Sequence, residues 1–178
     1  SVKGGCLDLA QRPDTEGDYL LASCGTFEQA TVYRTTNGED NDPWAPVLSE
    51  PDMGRTTLAI APSRPSTIYA LSASHEPGVD KNQGLLTVFR SDADGSPGSW
   101  TSTLRNTDPV KLHRVLLTNP LAAADECTGN RSTYVTMGWY CNVIAVDPAD
   151  PERVWAAGVD LFRSDDGGRN WGLASYWW

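Results

Sequence analysis

A chain of 178 residues with 39% hydrophobic content and no low-complexity tract can fold as one soluble domain with a packed core, which excludes disorder as its default state. Its formal charge of −9, with no local cluster of Lys and Arg, would repel a phosphate backbone, so nucleic acid and anionic membrane surfaces are not expected partners. No apolar run reaches the roughly 20 residues of a spanning helix, so no membrane insertion is expected. The opening SVKGGC lacks the apolar stretch of a signal peptide, so any signal is expected to have been removed.

Sixteen Gly and twelve Pro stand singly between short runs of Val, Ile, Leu, Thr and aromatics, the pattern of an all-β chain rich in turns. In chain order these runs predict strands over 7–10, 19–23, 31–35 and 44–48, then over 57–61, 67–72, 86–91 and 99–104. After a long irregular stretch come strands over 142–146, 153–157, 161–164 and 170–175. The units are a first over 1–53, a second over 54–106, an inserted loop over 107–141 and a third over 142–178, together a single partial domain.

The units are repeats. A strand, a Pro-containing turn and a strand recur as LDLAQRP from Leu7, LAIAPSRPSTIYALS from Leu58 and VIAVDPADPERVWAAG from Val143. Each is followed by an aromatic-Arg-Ser/Thr step, a turn of Asp, Asn and Gly, and a Trp: YRTTNGEDNDPW from Tyr33, FRSDADGSPGSW from Phe89 and FRSDDGGRNW from Phe162. Self-similarity at a fixed period outranks any single motif. Four short antiparallel strands (A to D) per repeat make a β-propeller blade.

Ser164, Asp166, Gly168 and Trp171 fit the pattern S-x-D-x-G-x-x-W. Here the chain resembles the Asp-box (BNR-repeat) propellers, which include sialidases, sortilin-type receptors, xyloglucanase-type glycoside hydrolases and many bacterial proteins. The second copy keeps Ser91, Gly95 and Trp100, with Ala93 in place of the Asp; the first has Thr35, Asn37 and Trp44 with Glu39 in the Gly position. The resemblance implies Asp-box β-propeller blades over almost the whole chain. Short polar side chains at these positions read as structural, because Asp and Ser bond turn backbone, Gly accepts positive φ and Trp packs between sheets. Asp92, Asp94 and Gly95 lack full calcium-loop spacing and read as a turn, as does the acidic run Glu39, Asp40 and Asp42. Neither a metal nor a cofactor is expected.

Closed propellers use four to eight blades. Three are too few, so the chain is expected to belong to a larger propeller, completed by further blades, copies or partner subunits. Alternating strand direction places the A–B and C–D turns at one end and the B–C and D–A loops at the other. In the families resembled, binding and catalytic groups cluster at the loop end.

From Trp100 to Val143 is 43 positions against 14 from Trp44 to Leu58, an insertion of about 29 residues at that end. Long loops on rigid scaffolds carry function. Its last part runs from Cys127 to Cys141 and holds Tyr134, Trp139 and Tyr140 beside Gly138. The aromatics read equally as a sugar-stacking platform or as the loop's own small core. Four cysteines without a CxxC pair point to disulfides and export to an extracellular, periplasmic or cell-surface location. Of the three possible pairings, Cys6 with Cys24 across neighbouring strands and Cys127 with Cys141 are expected, since crossed pairings would have to link separate units. Asn130, Arg131 and Ser132 form a glycosylation acceptor, which matters only in a host that uses such sites.

His75, Glu76, Asp80 and Lys81 fall in the second unit's B–C loop and could meet His113 and Arg114 of the insertion as an acid/base set, or stay a solvated surface. A sialidase would show an Arg-Ile-Pro motif and an arginine triad. The motif is missing, and the repeated Arg34, Arg90 and Arg163 adjoin the Asp boxes instead. The expectation is therefore a binding or interaction module that presents loops to a carbohydrate or protein ligand. Part of a glycoside hydrolase propeller, or a structural subunit of a surface assembly, are the alternatives.

Overall fold

A computed structural model of the chain describes residues 5–38, 43–75, 84–110, 112–119 and 135–175. Twelve of its strands form three antiparallel sheets, each with its strands in sequence order. The first sheet contains β1 (Cys6–Gln11), β2 (Leu20–Cys24), β3 (Thr31–Thr35) and β4 (Ala45–Leu48). The second contains β5 (Met53–Ile60), β6 (Ile68–Ser74), β7 (Leu85–Ser91) and β8 (Thr101–Arg105). Within the insertion, a 3-10 turn (His113–Val115) precedes a two-stranded ribbon, β9 (Thr118–Asn119) and β10 (Val135–Thr136). The third sheet contains β11 (Val143–Val146), β12 (Val154–Ala157), β13 (Leu161–Ser164) and β14 (Gly172–Ser175).

The expected meander is therefore present three times over. The main departure in length is β5, which begins four residues earlier than its apolar run because Met53 still pairs with Ser74 past a register shift. The first strands of the sheets lie side by side, β1 against β5 and β5 against β11. Each sheet then runs outward from that line to its fourth strand.

Two apolar layers join the sheets. Between the first and second lie Leu21, Val32, Met53, Leu58, Ile68 and Phe89; between the second and third lie Tyr69, Leu71, Val88, Leu104, Ile144, Val154, Phe162 and Trp171. All seven residues of β6 and of β7 are buried, as a sheet covered on both faces requires. Their alternate side chains feed the two layers in turn.

Polar clamps reinforce the layers at the turn end. Across the first junction, the Tyr19 hydroxyl and Arg34 Nη1 donate to the Asp94 carbonyl, Arg34 also to Ser96 Oγ, and Arg12 pairs with the Asp94 carboxylate. At the second, Arg90 lies over the Tyr69 ring and grips Glu152 with Nη1 and Nη2 at 2.5 and 2.7 Å, while the Tyr69 hydroxyl donates to the Pro151 carbonyl at 2.8 Å. The hydrogen bond from Arg90 holds the Glu152 carboxyl below its ordinary range against the opposing effect of burial. Burial in turn pushes the Tyr69 phenol up to about 12. The matching pair in the third sheet is Arg163, 5.2 Å over the Trp155 ring.

The C–D turns of the second and third sheets are closed by their serines, as the first is by Thr35, which accepts from the Gly38 amide. Ser164 Oγ accepts from the Gly168 and Asp166 amides and donates to Asp166 Oδ1, whose carboxylate takes the Arg169 and Asn170 amides and the Asn170 side chain. Burial pushes the Asp166 carboxyl up, but these bonds outweigh it and leave it below the usual range. The Trp171 indole donates to the Gly168 carbonyl at 2.9 Å. In the second sheet, Ser91 Oγ accepts from Gly95 and Ala93, and Trp100 donates to the Gly95 carbonyl. Asp92 and Asp94 of that turn engage arginines (Arg90 and Arg64, and Arg12). Residues 39–42, with Glu39, Asp40 and Asp42, lie outside the described residues.

Candidate functional site at the loop end

The B–C loop of the first sheet, residues 25–30, is pinned at its base. Cys6 and Cys24 are joined by a disulfide where β1 begins and β2 ends, and the Gly25 amide donates to the Gly5 carbonyl. Gly25 has φ of 114°, and a Cβ there would lie 2.7 Å from Ala30 Cα, so the loop closes on itself only with glycine. The Ala30 amide then donates to the Met53 carbonyl at 2.5 Å, tying the loop to the second sheet. This short, braced loop carries Phe27, which is 59% exposed.

A second braced turn lies opposite. The Tyr140 and Cys141 amides both donate to the Met137 carbonyl, folding residues 137–141 tightly just before β11. Asn142 is buried and anchors the turn: it accepts from Thr57 Oγ1 and donates to the Arg55 and Leu71 carbonyls. Arg55 Nη1 donates to the Trp139 carbonyl at 3.1 Å.

The two turns meet in an aromatic row. The ring centres of Phe27 and Trp139 are 5.7 Å apart and those of Trp139 and Tyr140 5.5 Å, both pairs tilted, and Trp139 and Tyr140 remain 39% and 64% exposed. Apolar faces left in solvent on rigid supports favour a ligand with flat apolar surfaces of its own.

His75 stands at the same end. Its amide donates to the Asp52 carbonyl at 2.7 Å, and its buried Nδ1 has no partner among the described residues. Gly54 allows the approach, since a Cβ there would lie 3.3 Å from His75 Cβ and 3.4 Å from the carbonyl of Thr26, the neighbour of Phe27. His75, Arg55 and the aromatic row thus share one surface. Several carboxylates near it have structural duties: Glu50 holds Arg105 through both oxygens, and Asp8 accepts from the Leu58 amide.

Not every expected residue gathers here. His113 is buried away from His75, accepting the Trp171 amide on Nε2 at 3.2 Å and facing Asp108 with Nδ1. The segment around it, with Leu116 and Leu117, packs between the second and third sheets, because its apolar residues cover the layer there. Arg114 is half-buried, and its Nε has no partner among the described residues. The expected meeting of His75 with His113 is therefore corrected: the insertion's first part is a wedge. Glu76, Asp80, Lys81, Tyr134 and Cys127 lie outside the described residues. The expected Cys127 to Cys141 bond involves a residue outside the described ones; among the described residues Cys141 is a free thiol. Sequence reasoning missed Phe27 and Arg55; the only signal was an aromatic in a short Gly-opened loop.

Among the described residues, no group of three or more His, Cys, Asp or Glu could hold a metal ion, and no helix is long and apolar enough to cross a membrane. The three radially packed four-stranded sheets define an all-β, propeller-like fold. No family model and no curated protein matches the chain. Among solved structures it is similar to the GH74 xyloglucanase of Xanthomonas campestris, with a TM-score of 0.57 at 17% identity over 95% of this chain and 23% of that one. It is equally similar to the GH74 enzyme of Niastella koreensis, with a TM-score of 0.57 at 17% identity over 98% of this chain and 22% of that one. The chain spans less than a quarter of the length of either. At that identity the likeness is one of fold.

Proposed function

We propose that the chain is a carbohydrate-binding arc of an exported propeller of the Asp-box type, non-catalytic as it stands, with Phe27, Trp139 and Tyr140 as the stacking platform for sugar rings. The observation that carries this reading is the solvent-exposed aromatic row, built from loops of two different sheets and braced on both sides. Arg55 and His75 supply polar contacts beside it. One structural neighbour is a xyloglucanase, which makes xyloglucan the first ligand to try.

Affinity electrophoresis against a panel of soluble glucans, with xyloglucan included, tests this directly. Retardation by at least one glucan, weakened about tenfold by Trp139→Ala, is the expected result, because truncating a central aromatic anchor costs about 1–3 kcal/mol. No retardation by any polysaccharide would overturn the carbohydrate reading and leave a protein ligand for the same platform. The second reading, part of a glycoside hydrolase, is favoured by the GH74 neighbours alone. It requires two carboxyl groups flanking a scissile bond, and release of reducing ends from xyloglucan by this chain would establish it.

A further inference from the structure

The outer faces of the first and third sheets are bare, and each is one half of a junction that the chain already makes twice. Leu9, Leu58 and Ile144 hold the same place in their sheets, opposite Ala22, Ala70 and Ala156. Leu58 and Ile144 are 8% and 6% exposed because the preceding sheet covers them, whereas Leu9 is 62% exposed. A depression of about 410 Å³ lined by Leu7, Leu9 and Ala22 marks that uncovered face.

The third sheet shows the reverse deficit. Trp155 and Arg163 face each other across β12 and β13 as Tyr69 and Arg90 do across β6 and β7. Arg90 is held by Asp92 and reaches on to Glu152 of the next sheet. Arg163 is held in the same way by Asp165 through Nε and Nη2, but among the described residues its Nη1 bonds to nothing. An open groove of about 870 Å³ lined by Trp155, Leu161, Arg163 and Leu173 lies where the next sheet would pack.

The first sheet carries the acid that this arginine lacks. Backbone bonds from Arg12 to Tyr19 and from Asp147 to Arg153 close equivalent A–B turns, which puts Asp18 at the place of Glu152. The equivalence extends to the glycine beneath. Gly38 and Gly167 have φ of 63° and 72°, and a Cβ on Gly38 would lie 2.9 Å from Asp18 Oδ2, as one on Gly167 would lie 2.5 Å from Glu152 Oε2. At Gly167 the remaining space is filled by Arg90 Nη1; at Gly38, Asp18 is exposed.

We propose that the third sheet of one copy docks on the first sheet of a second copy, with Arg163 gripping Asp18 and Trp155 and Leu161 covering Leu9. The relation is reciprocal, so two copies close on each other through two identical junctions and supply six sheets, within the range of closed rings. The occupant is a second copy because both halves of the junction, apolar patch and opposite charges, belong to this chain. The proposal stands apart from the sugar-binding reading and does not depend on it.

Native mass spectrometry and light scattering over a concentration series test it, with Arg163→Glu, Asp18→Arg and the double variant. The expected result is a species of twice the chain mass for the wild type. Each single reversal raises its dissociation constant at least tenfold, and the double variant recovers most of that loss. Circular dichroism and urea midpoints close to wild type in the single variants keep folding apart from assembly, since both side chains lie at the surface. A wild type that is monomeric at every concentration would overturn the proposal and hand the two faces to sheets of another chain. A dimer indifferent to both reversals, or an open-ended ladder of sizes, would equally overturn it.

Discussion

Ser164 and Ser91 illustrate how much single side chains decide in a turn of this kind. Each takes two backbone amides that have no strand partner, and each is 1% exposed, so water cannot replace it. Ser164→Ala is expected to destabilise the fold by about 1–3 kcal/mol, the cost of leaving buried donors unmet, read as a lowered urea midpoint with an unchanged slope. Gly25→Ala is expected to act differently. Its Cβ would press on the Ala30 backbone, so the loop must shift, and sugar binding should fall while the global midpoint moves little. The two serines were legible in the sequence because the turn amides that they accept lie within four positions. Phe27 was not, because its meaning comes from Trp139, more than a hundred residues away. The same holds for His113, whose polar ring suggested a surface loop until Trp171 and the wedge around it were in place.

The strands were legible almost throughout, since alternation and Pro- or Gly-bearing turns recur in each repeat. The bounds of β5 and the ribbon of β9 and β10 were not, because pairing past a register shift and two-residue strands leave no periodic trace. The Cys6 to Cys24 bond closes a loop with a sequence separation of 18, and replacing both cysteines by serine is expected to cost about 3 kcal/mol. Because the bond sits at the root of the Phe27 loop, affinity for a glucan should fall along with stability. The junction between the second and third sheets makes a pH prediction. Glu152 has a lowered carboxyl, chiefly through its bond from Arg90, so its contribution is fully present above the ordinary glutamate value of 4.5 and is lost as pH falls below it. The urea midpoints of wild type and Glu152→Gln should differ at pH 7, and the difference should shrink as pH falls below 4.5. A constant difference across that window would contradict the assigned role of the ion pair.

Taken together, the three sheets divide the molecule into a turn end that holds neighbours together and a loop end that leaves aromatic side chains exposed. At the turn end lie the arginine clamps, the serine-closed turns and the buried Trp171. At the loop end lie the exposed aromatics, Arg55 and His75. The repeat pattern made the scaffold and its polarity readable, while the aromatic row depends on how two sheets bring distant loops together. Calorimetric titration of a xyloglucan oligosaccharide into wild type, Trp139→Ala at the loop end and Arg169→Ala at the turn end tests that division most directly. The account predicts affinity reduced about tenfold or more in the tryptophan variant and unchanged in the arginine variant. Equal affinity for wild type and Trp139→Ala, or loss confined to Arg169→Ala, would contradict it.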